Sequence, residues 1–326
     1  VKNQLRLRGS LPEGSKRRYK KSRKSKPKEQ EVIQQQIAQP EVVKEIALPE
    51  VQQEQEVLFR PNEGPQTDFL ASSEREVLYG GAAGGGKSFA MLADPLRGLN
   101  NSNFSGLLVR HTTEELRELI QKSQELYPKA IPGIKWSERK SQWVTPKGGR
   151  LWMSYLDRDL DVMRYQGQAF NWIGFDELTQ WATPYAWDYM RSRLRSADRT
   201  LGLYMRATTN PGGPGHQWVK KTFIDPSPPN SSFWATDTET GNVITFPQGH
   251  SREGQPLFRR RFIPANLFDN PYLAESGDYE AMLLSLPEHQ RKQLLEGNWD
   301  VAEGAAFPEF DRTKHVVEPY KIPASW

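Results

Sequence analysis

No cysteine occurs among the 326 residues, which excludes disulfides and any zinc site built on thiolates. No run reaches the roughly 18 apolar residues that a bilayer crossing needs. The N-terminus has no apolar core of the kind a secretory leader requires. An even spread of charge is missing too. The first 30 residues hold twelve of the 44 Lys and Arg but two of the 40 Asp and Glu, so this arm carries +10 and the remainder −6. With no apolar periodicity, residues 1–30 are expected to be a disordered basic arm. It serves either as an electrostatic tether to DNA phosphates or as a solvated tail. Residues 31–57, rich in Gln and divided by Pro40 and Pro49, read as a linker. Order is expected from about residue 58.

What is present centres on Val77-Leu78-Tyr79-Gly80, an apolar run that leads into Gly81-Ala82-Ala83-Gly84-Gly85-Gly86-Lys87-Ser88. This is the glycine-rich P-loop pattern ending in Lys-Ser. Glycines let the backbone wrap a phosphate and turn its N–H groups inward. The helix expected after it brings its positive end to the same anion. The pattern implies ATP, with Lys87 reaching the β and γ phosphates and Ser88 on Mg²⁺. Upstream, Gln66 offers both donor and acceptor to an adenine edge. Phe69 either packs on the base or belongs to the core.

Asn171-Trp172-Ile173-Gly174-Phe175-Asp176-Glu177 is a second signal. An apolar strand ends in two carboxylates, Asp176 placed to hold the metal and Glu177 to orient or deprotonate the attacking water. Phosphoryl transfer also calls for an Arg. Arg164 is the preferred candidate, within its own subunit or in a neighbour's site. Arg158, Arg191, Arg193 and Arg195 are the alternatives. In Tyr204-Met205-Arg206-Ala207-Thr208-Thr209-Asn210-Pro211, a strand ends in a polar tip before a turn. It is suited either to sensing the γ-phosphate or to turn geometry alone.

The remaining elements alternate. Phe104–Arg110 reads as a strand and Thr112 or Thr113 as the cap of the next helix. Gln142–Val144 and Leu151–Leu156 form a hairpin, and a helix spans Pro184–Arg195. The pattern predicts an α/β fold with a mainly parallel sheet wrapped by helices. Beyond it, a hairpin is expected over Phe233–Thr236 and Asn242–Phe246. Leu257–Ile263 reads as a strand whose Arg259, Arg260 and Arg261 touch DNA or, preferably, face solvent. Helices follow over Tyr272–Leu284 and Pro287–Glu296.

Taken in order, Gln66, the P-loop, Asp176-Glu177 and Thr208-Thr209-Asn210-Pro211 resemble the ATPase part of the large terminase subunit of tailed bacteriophages. Leu267–Tyr272, Leu294–Trp299 and Gly304–Phe310 extend the resemblance over residues 58–326. It implies a P-loop NTPase of the additional-strand, catalytic-glutamate type, the Thr-Thr-Asn strand lying between the two Walker strands. The implied ATPase core is 58–225, with a small second subdomain over 226–300. Thr208, Thr209 and Asn210 take the family's coupling positions. The implied function is an Mg²⁺-dependent, ATP-driven translocase of double-stranded DNA that packages a viral genome. It acts in the host cytoplasm, transiently at the procapsid portal, as a homo-oligomeric ring on the portal protein with a small terminase partner. Two departures stand out. Ala82-Ala83 replace an Arg that many relatives carry in the P-loop. Residues 301–326 read as a linker toward the nuclease domain usual in the family, so no DNA cleavage is expected from this chain alone. Two alternatives stay open: another DNA-remodelling ATPase such as a helicase, and a non-hydrolysing nucleotide-binding fragment.

Overall fold

The apolar run before the glycines forms the strand on which the sheet is laid. The computed structural model describes residues 59–301, 315 and 316. The basic arm, the Gln-rich linker and the Gly304–Phe310 motif lie outside the described residues. The strands are β1 (Glu76–Gly81), β2 (Ser105–Arg110), β3 (Lys135–Ser137), β4 (Gln142–Val144), β5 (Arg150–Tyr155), β6 (Trp172–Asp176), β7 (Tyr204–Thr209), β8 (Ser232–Trp234) and β9 (Arg259–Ala265). They make one sheet in the order β3-β4-β5-β2-β6-β7-β1-β9-β8. The six from β5 to β9 in that order run parallel; β4 and β8 run against them, and β3 pairs antiparallel with β4. Strand β7 lies between β6 and β1, as the resemblance implies.

Helices α1 (Pro65–Ala71), α2 (Lys87–Ala93), α3 (Leu96–Leu99), α4 (Thr113–Ala130), α5 (Tyr185–Arg191) and α6 (His216–Val219) precede the last parallel strand. Such crossovers are what parallel strands demand. Covered on both faces, the central strands alternate between two cores. Val77 and Tyr79 pack with Met91, Leu108 and Trp172; Leu78 faces the other way, toward Leu107, Ile173 and Phe175. Thr112 caps α4 through a reciprocal pair: Glu115 N–H donates to its hydroxyl at 3.4 Å, and its own N–H donates to the Glu115 carboxylate at 3.2 Å. Two orphan amides are thereby satisfied.

Beyond residue 226 the structure departs from the sequence expectation. Strands β8 and β9 belong to the main sheet, β9 lying directly against β1. Strand β8 pairs with β9, and the expected hairpin is reduced to a bridge, Thr236 to Val243, past the end of β8. The first of the two expected helices is split into α7 (Pro271–Ala274) and α8 (Asp278–Leu284) by Gly277 at φ +68°, a conformation only glycine adopts freely. With α9 (Glu288–Leu294) they form a small cluster whose core includes Leu267, Leu283 and the P-loop residue Ala83.

Arg260 is not on a solvated face. It is buried and donates from Nε to Glu76 Oε2 at 2.8 Å. Arg191 donates to the other Glu76 oxygen. Burial pushes the Glu76 carboxyl up, but Arg191 and Arg260 outweigh it and leave it below its usual 4.5. This triad ties β1, β9 and α5 at the start of the central strand. Replacing Glu76 with Ala leaves the buried Arg260 guanidinium without its ion pair and takes one of two carboxylate partners from Arg191, so unfolding experiments should show a loss of about 3–5 kcal/mol. The depressed carboxyl adds stability that is full above about pH 4.5 and fades as pH falls below it. A wild-type stability in urea at neutral pH for Glu76→Ala would sink this assignment.

Candidate active site

Strand β1 runs into the glycines and α2 begins at Lys87, so the loop 82–86 is held between a buried strand and a helix start. Tyr79 Oη donates to the Gly85 carbonyl at 2.6 Å from beneath. Gly81 has φ +136°, and a Cβ there would sit 2.5 Å from the Ala265 oxygen; nothing but glycine fits. Ala82 N–H donates to that same oxygen at 2.8 Å, and Ala83 N–H to the Leu294 carbonyl at 2.6 Å. Those two amides are thus bonded to the chain itself. The amides of Gly84, Gly85, Gly86, Lys87 and Ser88 have no partner among the described residues, which leaves them as an anion-binding nest.

Lys87 is buried, and its Nζ donates to the Ala82 carbonyl at 2.5 Å. Burial lowers its pKa to about 8, against the pull of Glu177 and Asp176. Asp176 is fully buried at the tip of β6. Its Oδ2 accepts from Arg110 Nε at 2.7 Å, and its Oδ1 accepts from the Thr208 hydroxyl. Glu177 sits in the left-handed region at φ +60°, a strain of ~1–3 kcal/mol of the kind stored where a side chain must be aimed. Burial raises its pKa and so does Asp176, while Lys87, Arg110 and the Asn210 amide oppose the rise. The structure therefore brings Lys87, Asp176, Glu177 and Thr208 together. Thr209 Oγ1 meets Thr179 Oγ1 at 2.7 Å in the turn after Glu177. Asn210 Oδ1 is buried without a partner among the described residues.

Other expected residues lie elsewhere. Arg164 is half-exposed and donates from Nη2 to the Tyr155 carbonyl at 2.6 Å. It makes no contact with the carboxylate pair. Arg191 is consumed by Glu76. Arg195 donates to the Gly167 and Gln168 carbonyls, Arg193 covers the Tyr189 ring, and Arg158 projects into solvent. The arginine at the site is Arg110, which the sequence reading missed. Its signal was its place at the end of a buried strand, legible only once β2 is known to neighbour β6.

Gln66 is buried and its amide is already engaged. Oε1 accepts from Asn62 N–H at 2.7 Å, and Nε2 donates to the Gly86 carbonyl at 3.0 Å. It braces the loop beside a cavity of about 680 Å³ lined by Gln66, Phe59, Phe89, Asn270 and Tyr272. Phe69 is core, stacked on Tyr79 at 5.4 Å. The aromatic pair at the cavity is Phe59 and Phe89, with centroids 4.8 Å apart. Among the described residues no group of three His, Asp or Glu side chains is arranged to hold a metal. None of their helices is long and apolar enough to cross a membrane.

The chain matches the family model described as terminase large subunit, T4likevirus-type, N-terminal, over residues 78–314. No curated protein matches it. Its fold is similar to that of the large terminase from a thermophilic bacteriophage in complex with ADP, at 17% identity and a TM-score of 0.52, over 79% of this chain and 59% of that one. The ATP-gamma-S complex of the same thermophilic phage protein gives 17% identity and a TM-score of 0.51 over 81% of this chain and 59% of that one. The Thermus phage P74-26 large terminase ATPase domain is 12% identical, with a TM-score of 0.49 over 74% of this chain and 94% of that one. The chain spans about three fifths of the length of the terminase seen with ADP and ATP-gamma-S. The likeness to those two complexes establishes the P-loop NTPase fold.

Among the described residues, the Thr208 hydroxyl makes the one hydrogen bond from β7 to the Asp176 carboxylate. Replacing it with Val leaves a buried carboxylate oxygen short of a donor, and urea unfolding should show a loss of about 1–3 kcal/mol. Thr208→Ser should retain most of the stability. Equal stability of the Val and wild-type proteins would show that the bond contributes nothing.

Proposed function

The chain belongs to the terminase large subunits of the T4-like-virus type, and from that premise we propose that it is an ATP-hydrolysing motor that translocates double-stranded DNA into a procapsid. The single observation that carries this reading is the meeting of Lys87, Asp176 and Glu177 at one sheet edge, with Thr208 bonded to Asp176. In this reading ATP lies on the free amides from Gly84 to Ser88. Gly81, Ala82 and Ala83 shape the loop instead of touching phosphate. Lys87 leaves the Ala82 carbonyl for the β and γ phosphates, and the base enters the cavity between Phe59, Phe89 and Tyr272, where Gln66 acts chiefly by fixing Gly86.

The residues fit Mg²⁺. It takes one or two protein oxygens and fills its shell with phosphate and water, and Ser88 and Asp176 are hard oxygen donors at one edge. Once bound, the ion neutralises charge developing on the transferred phosphoryl group. The chain's own residues do the rest. Glu177, held rigid by its backbone, takes the proton of the attacking water or orients it. The unpaired Asn210 oxygen supplies an acceptor beside it. Arg164, exposed and away from its own carboxylate pair, acts in a neighbouring subunit's site. The coupling strand passes the state of the site onward through Thr208, Thr209 and Asn210. The working unit is a core of residues 58–265 with a small subdomain over 266–300. It assembles as a ring on the portal protein, with a small terminase partner, in the host cytoplasm.

Steady-state ATP hydrolysis, with and without double-stranded DNA, tests this directly. Glu177→Gln should bind ATP as the wild type does and lose roughly 10²–10⁴-fold in turnover. Stimulation by DNA is expected for the wild type. Absence of ATP binding by the wild-type chain would end the proposal.

The lowered Lys87 pKa adds a second expectation. The ammonium, not the amine, attracts phosphate, so ATP affinity should weaken as pH rises through about 8. A flat binding isotherm series across that range would remove Lys87 from the phosphate site.

A further inference from the structure

Strand register places a cation where the nucleotide's metal is expected to act. Val109 of β2 stands beside Phe175 of β6, so the next residues, Arg110 and Asp176, emerge together at the sheet edge. Arg110 is nearly buried and donates from Nε to Asp176 Oδ2 at 2.7 Å. Its Nη1 lies 4.0 Å from Glu115, the residue that closes the cap of α4. The guanidinium is thus aimed from β2 and braced from a helix start. It is not a mobile surface arginine.

The site contains two carboxylates side by side, Asp176 and Glu177. Two cations face them, Lys87 and Arg110. Lys87 is bonded to a carbonyl of the loop, so among the described residues the direct ionic partner of Asp176 is Arg110. Removing one member of a buried pair leaves an uncompensated charge, and such a charge seeks another counter-ion.

We propose that Arg110 is a positioning residue for the reaction, its guanidinium serving as the resident counter-ion of Asp176 with which a divalent cation competes. This rests on the reading of the site as an Mg-ATP site. Two consequences follow. The Asp176 carboxylate is held in a fixed orientation between turnovers by Arg110 on one oxygen and Thr208 on the other. A free divalent cation binds poorly, because the site's negative charge is already balanced, and the metal therefore enters with its nucleotide.

The test uses the full chain without nucleotide and takes Mn²⁺ alone as the probe, followed by its free-ion paramagnetic resonance signal. Arg110→Gln should bind Mn²⁺ at least about tenfold more tightly than wild type, equivalent to ~1.4 kcal/mol. Its melting temperature should fall below wild type in EDTA and recover when Mg²⁺ is added. Arg110→Lys, which keeps the charge, should bind Mn²⁺ as weakly as wild type. Mn²⁺ affinity unchanged in Arg110→Gln, or raised equally in Arg110→Lys, would overturn the proposal. If Arg110→Gln does not fold, the pair Asp176→Asn and Asp176→Asn/Arg110→Gln decides. Melting of the double variant above the single one supports a charge pair, and below it refutes one. Wild-type ATP binding is measured alongside. Its loss would indict the Mg-ATP reading itself, whereas a failure confined to the Arg110 variants leaves that reading standing.

Discussion

Both oxygens of Asp176 are occupied, one by the guanidinium of Arg110 from β2 and the other by the hydroxyl of Thr208 from β7. Three neighbouring strands are thereby fastened at their tips by one buried carboxylate. The rest of the site follows from that knot. Glu177 is the next residue and inherits its position. Thr209, one further along β7, reaches Thr179 in the turn after Glu177. Any shift of Asp176 must be felt by β7, the strand between β6 and β1, because a buried carboxylate cannot give up a donor without cost.

The small cluster after β9 is tied to the loop as closely as the sheet is. Asn270 Nδ2 donates to the Gly84 carbonyl at 2.7 Å, and Leu294 accepts from the Ala83 amide. Gly297 presses on the loop so closely that a Cβ there would lie 2.7 Å from the Ala82 nitrogen. From the other side, His216 accepts from the Gly212 amide on Nδ1 and meets the Trp299 carbonyl through Nε2 at 3.0 Å. The turn after β7 and the chain returning from the cluster therefore share one imidazole. Burial holds that ring's pKa below its usual value, which favours the neutral form these two bonds require.

Local chemistry was readable in the sequence wherever the chain makes its own site. Glycine spacing gave away the loop, and an apolar run ending in Asp176-Glu177 gave away the strand tip. Thr112 or Thr113 was legible as the cap of α4, and the structure selects Thr112, with Glu115 closing the cap. What escaped depends on which strands become neighbours. Arg110 gains meaning only from the β2–β6 register. Arg260 looked like part of a solvated stripe, yet β9 carries it inward to Glu76. Gln66 was read as an adenine contact, whereas in the structure its amide is taken up by the Asn62 N–H and the Gly86 carbonyl, backbone groups with no sequence signature. The weight placed on Arg164, Arg191, Arg193 and Arg195 shows the same limit. Arginines near a motif in sequence were counted, while the one near it in space came from a strand that ended before them.

Strand β1 has a property that bears on how the protein is made. Its two neighbours are β7 and β9, residues 204–209 and 259–265. Two of its loop's amides wait for acceptors at Ala265 and Leu294. A nascent chain therefore carries an unpaired, largely apolar strand through a long stretch of its synthesis, with the loop unformed until Leu294 has left the ribosome. Pairing so distant in sequence is slow and leaves strand edges exposed to aggregation. The glycine loop is therefore among the last parts of the fold to close.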